Sequence, residues 1–288
     1  MKAKALFLDQ FSFFIAVPAL LWQFFFLYFP LLFIVLISFF SKEAPHHFTL
    51  EHYQPVFYWS YVSIMIRSFV LALGNSVISL CLAYPVAYFL ALYVKRWKNL
   101  FLFFMILPFW TSLLVQVYAW MFVLEPYGVI NSVLLWLGII DEPLQLLNSL
   151  FAVFLGMVYC YVPFMVLPLY SILENLDVRL LEASADLGAS GLETFRRITL
   201  PLSLPGIRTG FFLVFIPSFG EFVIPALLGG GKRMYVGTLI SHYFLILQDM
   251  FTGAALTVAC GFVLLLSVLL TYSMLMQTVR LLSGKVRL

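Results

Sequence analysis

Residues 143–173 read PLQLLNSLFAVFLGMVYCYVPFMVLPLYSIL, and residues 174–208 read ENLDVRLLEASADLGASGLETFRRITLPLSLPGIR. The first stretch carries no charge and exceeds the roughly 20 residues that an α-helix needs to cross a hydrocarbon core about 30 Å thick. The second places charges and apolar residues at helical spacing, as a segment at a water-facing surface would. A bilayer-length apolar run feeding directly into a charged amphipathic segment sets the fold class as an all-α, polytopic membrane protein.

Composition agrees. Of 288 residues, 64% are hydrophobic and only 10% charged, against about 25% charged in soluble domains. The formal net charge of +3 is dispersed along the chain, so the clustered basic surface that nucleic-acid binding needs is missing. Cys81, Cys160 and Cys260 lie far apart in apolar runs, which suits neither a disulfide framework nor a CxxC metal site. Lys2 and Lys4 precede an uncharged run at 10–41 that is far too long for a signal peptide. It is expected to remain as a first span.

Further uncharged runs occupy 68–94, 99–124 and 250–279, and 209–231 is broken only by Glu221. Six transmembrane helices are therefore expected, near 13–39, 69–94, 100–124, 147–172, 209–230 and 251–276, within one transmembrane domain spanning 1–288. Two runs of 15 residues, 126–140 and 234–248, read as interfacial or re-entrant pieces. With the N-terminus inside, twelve of the sixteen Lys and Arg residues fall on inner segments, leaving Lys42, Arg67, Lys232 and Arg233 outside. Both termini are thus expected to be cytoplasmic, with the long loop at 174–208 on the same side.

Within that loop, Asp177 can cap a helix over 178–187, and Gly188 suits the left-handed position after it. Ser190 and Glu193 have the spacing of a capping box. A second short helix carrying Phe195, Arg196, Arg197 and Ile198 is expected to end at Pro201.

Glu182, Ala183 and Ser184, then Gly188, then Ile198, Thr199, Leu200 and Pro201 closely resemble the EAA motif of permease subunits in ATP-binding-cassette importers. The departure is Ser184, where alanine is usual. The resemblance implies the type I importer permease fold in a bacterial inner membrane. It also implies that Glu182, Ala183, Ser184, Gly188, Phe195, Arg196, Arg197, Ile198, Leu200 and Pro201 form the element that couples to an ATPase.

Softer stretches, including Pro108-Phe109-Trp110-Thr111, Val162-Pro163-Phe164-Met165 and Gly220-Glu221-Phe222-Val223-Ile224-Pro225, resemble spermidine/putrescine permeases of the PotB or PotH type. The implied partners are a second permease subunit, a cytoplasmic ATPase dimer that binds ATP and Mg, and a periplasmic or extracellular polyamine-binding protein. No cofactor is expected on this chain.

Glu221 lies about 18 Å along an ideal helix counted from Thr209, where a lipid-facing charge is costly. It is expected to face a hydrated cation pathway; the alternatives are a protonated acid, an ion pair with Arg67 or with a residue of a partner chain, and a side chain carried out to the external interface. Trp110, Tyr118, Trp120 and Tyr161 could present π faces to an amine or serve as belt and packing aromatics.

Other constellations are weaker. Gly229-Gly230-Gly231-Lys232 is followed by Arg233 and has Ala226 where a Walker A loop needs glycine, which leaves ATP hydrolysis to another chain. His46, His47 and His52 near Glu43 and Glu51 lack a metal-site spacing. An intramembrane enzyme lacks the inventory, since Glu221 is alone and His242 has no evident partner. The rival readings are a single-chain secondary carrier for a small cation, which leaves the EAA-like loop unexplained, and an importer permease for another small solute.

Overall fold

Lipid offers backbone amides no partners, so a chain this apolar must satisfy them within helices. The computed structural model describes residues 17–41, 47–94 and 96–283, with side chains to 277. Lys2, Lys4, residues 13–16 of the expected first span, Lys42, Glu43, His46, Lys95, the side chain of Arg280, Lys285 and Arg287 lie outside the described residues.

The helices are α1 (Val17–Ile37), α2 (Trp59–Leu92), α3 (Lys98–Ile106), α4 (Leu113–Leu124), α5 (Val129–Trp136), α6 (Leu150–Glu174), α7 (Val178–Asp186), α8 (Gly191–Phe219), α9 (Val223–Leu228), α10 (Val236–Ile246) and α11 (Met250–Ser283). Six stretches among the described residues are long and apolar enough to cross a membrane: α1, α2, α4 with α5, α6, α8 and α11. β-Structure among them is confined to one antiparallel bridge, Phe40 with Phe48.

Three expectations need revision. The second span begins at Trp59 rather than 69, which puts Arg67 inside α2. The third is not one helix over 100–124. A 3-10 turn at Leu107–Trp110 separates α3 from α4, and the membrane-length stretch is Leu113–Trp136. That stretch takes in part of the run expected to be interfacial. Asn131, fully buried, secures α5 by donating to the carbonyls of Glu125 (3.2 Å) and Leu144 (2.9 Å) and accepting from the Leu144 amide (2.9 Å).

The fifth span starts inside the loop, at Gly191, and Pro201 does not end a helix there. A π turn at Phe195–Thr199 precedes the proline, and the Leu200 amide reaches back to the Phe195 carbonyl. Widening the turn relieves the clash between a proline ring and the carbonyl four residues earlier, and Pro201 has no amide to place.

The chain divides into two units, residues 1–62 with 240–262 and residues 63–239 with 263–288. In the first, the membrane-length window of α1 is 0% buried. There the Tyr61 and Tyr243 hydroxyls share a hydrogen bond of 2.6 Å, and the His52 ring stacks on Phe251 at 5.7 Å.

The second unit is organised by α6 packed on α8. Gly206 and Gly210, one helical turn apart, let the two backbones meet. A Cβ on Gly206 would lie 2.9 Å from the Pro168 carbonyl, and one on Gly210 would lie 3.1 Å from that of Met165. Between membrane helices, where lipid is as apolar as leucine, such close approach supplies the packing energy. Gly206→Val and Gly210→Val should each cost about 1 to 3 kcal/mol through overpacking. Purified in detergent, both should melt several degrees below the parent, whereas Gly261→Ala, which meets open space, should not. Equal melting of all three would refute the close-packed α6–α8 contact.

Candidate translocation site and coupling loop

The fifth span stops at Phe219, and α9 restarts at Val223, so the amides of Phe222, Val223 and Ile224 have no helical partners behind them. Glu221 supplies the partner. Its Oε1 accepts from Phe222 N (3.0 Å), Val223 N (2.9 Å) and Ile224 N (3.4 Å), and its Oε2 accepts from the Tyr161 hydroxyl (2.7 Å). The residue is 8% exposed, and its negative charge lies where the dipole of α9 favours it. Its hydrogen-bond partners are therefore amides and a phenol, not Arg67.

The break is packed from other sides as well. A Cβ on Gly237 would run into the Gly220 carbonyl, so α10 can approach only because glycine stands there. The start of α10 is fixed by the Val236 amide, which donates to Ser68 Oγ at 2.8 Å. Pro217 inside α8 and Pro225 inside α9 flank the interruption and remove two further amides.

Of the five residues expected along a cation pathway, the fold joins Glu221 and Tyr161. Trp120 packs edge-on against Tyr159 at 5.4 Å. Trp110 is 75% exposed and meets Phe103 at 5.8 Å, while Tyr118 is also exposed. Trp120 and Tyr161 both pack against the core cluster that contains Val117, Met157 and Ile224.

Uncharged polar side chains, absent from the expected set, extend the polar region instead. Asn75 on α2 donates to Ser218 Oγ at 2.8 Å, one turn before the break, and both residues are buried. Gln116 on α4 donates to the Pro108 carbonyl (2.5 Å) and Thr111 Oγ1 (2.8 Å), and its own carbonyl accepts from Cys160 Sγ at 3.5 Å. The available signal was an amide side chain inside an apolar run, which a search for charges passes over.

The loop at 174–208 follows its local code. Asp177 Oδ1 accepts from the Arg179 amide at 3.0 Å, Gly188 has φ +80°, and Ser190 and Glu193 cap each other's amides at 3.4 and 3.3 Å. Ser184, buried, shares a hydrogen bond of 2.7 Å with the Thr194 hydroxyl, which ties α7 to the start of α8. Alanine, the usual residue in the resembled motif, could not make this tie.

Phe195 packs edge-on against Tyr84 (5.5 Å) and Tyr88 (6.3 Å) of α2. The Tyr84 hydroxyl in turn shares a hydrogen bond with Ser203 Oγ at 2.9 Å. Glu182, Ala183, Arg196 and Arg197 are exposed, as are the apolar Leu187 and Leu192. Ile198, Leu200 and Pro201 are partly buried. The loop thus presents a mixed apolar and charged outer face on a rigid base.

Residues 83–281 match the family described as binding-protein-dependent transport system inner membrane component. The chain is 40% identical over 252 residues to the spermidine/putrescine transport system permease protein PotB of Escherichia coli (strain K12), covering 85% of this chain and 92% of that one. It is 36% identical to the protein of the same description from Haemophilus influenzae, covering 87% and 89%. Among solved structures it is similar to a chain of the bacterial alginate ABC transporter in complex with alginate pentasaccharide-bound periplasmic protein. The TM-score is 0.77, with 17% identity and coverage of 96% and 98%.

The geometry at the break gives a direct expectation. An N-cap contributes about 0.5 to 2 kcal/mol, so Glu221→Ala should speed hydrogen exchange at the Val223 and Ile224 amides about 2- to 30-fold. The same substitution should leave the first turn of α6 unaffected. Unchanged exchange at both amides would mean that the carboxylate does not cap α9.

Proposed function

The chain belongs to the family of binding-protein-dependent transport system inner membrane components, and from that premise we propose that it is one of two permeases in an ATP-driven importer of polyamines. It is a multi-pass inner-membrane transport subunit. In the proposed assembly a second permease completes the pathway, and a cytoplasmic ATPase dimer carries ATP and Mg. A binding protein on the far side delivers spermidine or putrescine. No cofactor is assigned to this chain. The observation that carries the substrate reading is 40% identity extending over 85% of the chain to a spermidine/putrescine permease. The excess of Lys and Arg on the segments at 95–98, 179–208 and the chain ends supports cytoplasmic termini.

The proposed coupling runs through α8. The ATPase engages the exposed face around Glu182, Leu187, Leu192 and Arg196, and its closure moves the helix pair joined at Gly188. Because α8 continues from Gly191 to Phe219, that movement arrives at the break where Glu221 sits. A cationic substrate is attracted to the Glu221 carboxylate, and the Tyr161 hydroxyl and the α9 amides compete with it for the same oxygens. Trp110, Tyr118 and Trp120 belong to the proposed pathway as faces available to an amine or to the second permease.

The test is uptake of labelled spermidine by liposomes that contain the complete transporter. Accumulation should require ATP and the binding protein. Uptake that persists without the ATPase chain would favour a single-chain carrier, and ATP-driven uptake of some other solute with none of polyamine would remove the substrate assignment.

In the same liposomes Gly188→Val should reduce uptake about tenfold or more while the protein still inserts and assembles. A β-branched residue resists φ +80° at a cost of about 1 to 3 kcal/mol. Parental uptake by a well-assembled Gly188→Val transporter would dismiss the coupling role of the turn. Glu221→Gln keeps the shape and removes the charge, and it should lower uptake. Parental kinetics would separate Glu221's capping role from any role with substrate.

A further inference from the structure

A cavity of about 180 Å³ opens between the N-terminal end of α6 and the loop after α9. Residues Asn148, Ser149 and Leu150 form one wall, Lys232 and Arg233 the other, and Tyr235 is part of the lining. No Asp or Glu lines it.

The walls are built rather than loosely apposed. The Asn148 amide donates to the Leu228 carbonyl at 2.9 Å, and Lys232 Nζ donates to the Asn148 carbonyl at 3.0 Å. Gly230, at φ +63°, fits against the Asn148 side chain where a Cβ would collide. Ser149 caps α6 by accepting from the Ala152 amide at 3.1 Å.

The electrostatics have one sign. An ammonium has three donors, and the Lys232 side chain spends one on Asn148. Lys232 and Arg233 are both exposed. The positive end of α6, a helix of 25 residues, adds to their potential. Burial pushes the Tyr235 hydroxyl up from its ordinary value, while Arg233 and Arg67 act in the opposite direction, which places a third cation in the neighbourhood. The volume is below the roughly 300 Å³ at which small-molecule pockets begin. It suits one acidic side chain.

We propose that this cavity receives a carboxylate side chain of the binding protein that delivers substrate, held between Lys232, Arg233 and the N-terminus of α6. The proposal rests on the functional reading above, which puts the loop on the outer face. Charge complementarity selects the occupant. A basic mouth repels a free polyamine, whereas an acidic surface that brings the polyamine also neutralises the mouth. Complementary rim charges act mainly on encounter and register, and their effect weakens with salt.

The experiment uses the complete transporter in liposomes and titrates spermidine-loaded binding protein against ATPase rate. The charge-reversed Lys232→Glu, Arg233→Glu variant should raise the KM for binding protein about tenfold or more, with the change falling on KM rather than kcat. Lys232→Gln, Arg233→Gln should lie between it and the parent, and the differences should shrink as salt rises. Copurification with the partner chains verifies that both variants assemble.

An unchanged KM in the reversed variant overturns this inference while the importer reading stands. An effect that follows the fraction of anionic lipid and not the concentration of binding protein overturns it in favour of a lipid headgroup. Failure of the parent to respond to binding protein overturns both the importer reading and the docking site.

Discussion

A helix interrupted within a bilayer leaves amides that lipid cannot hydrate, and the rest of this structure depends on how that deficit is met at Gly220–Phe222. Each unsatisfied polar group in hydrocarbon costs several kcal/mol. Here a single carboxylate oxygen gathers three amides, and the second oxygen takes the Tyr161 hydroxyl. Four donors thus surround a carboxyl group that an apolar run would otherwise leave without partners. The cap and the buried acid are therefore one feature: the break leaves amides unpaired, and the Glu221 carboxylate accepts from them.

That arrangement gives the fifth span its mechanical character. Above the loop, α8 is held to α6 by backbone contact at Gly206 and Gly210, and at its lower end Phe195 lies against Tyr84 and Tyr88. Between these contacts the π turn at Phe195–Thr199 lets the helix pass Pro201 without ending. A displacement imposed on the loop cannot dissipate in a flexible linker, because none separates Gly191 from Phe219. The first interruption of the helix is the one at Glu221, where the proposed substrate contact also lies. The Ser184–Thr194 hydroxyl pair extends this rigidity back into α7.

The features legible in the sequence were those encoded over a few residues or by sheer apolar length. Asp177, Gly188, Ser190 and Glu193 specify caps and a left-handed turn through contacts within one turn of themselves, and the structure shows each. The apolar runs specified the number of membrane-length helices. Where spans begin was less legible, because proline carries two meanings. Pro201 lies within a continuous helix, whereas Pro108 sits in the 3-10 turn that divides α3 from α4. Only packing partners such as Gln116 distinguish these outcomes.

Glu221 stood out because it was the one acid in its run, but its capping role required knowing that the helix stops at Phe219. Asn75, Gln116 and Asn131 carry no charge and left no gap in the apolar pattern. Asn75 and Asn131 are buried and Gln116 is half-buried, and a buried amide group without a partner incurs a desolvation cost of about 1 to 3 kcal/mol.

On the proposed reading, the order of charges along this chain suits the passage of a polycation. Lys232 and Arg233 make the outer loop positive, while Glu221 is a buried negative charge already shared among four donors. The positive loop raises the barrier for free substrate and leaves delivery by an acidic partner as the favoured route. The shared carboxylate attracts an amine, yet every hydrogen bond to the amine must replace one to Tyr161 or to α9. Binding within the membrane is thereby kept weak, and a weak interior site is what a transporter needs if the substrate is to leave as readily as it arrives. Selectivity then falls mainly to the delivering protein, and this permease contributes a path whose electrostatics favour a cation without retaining it.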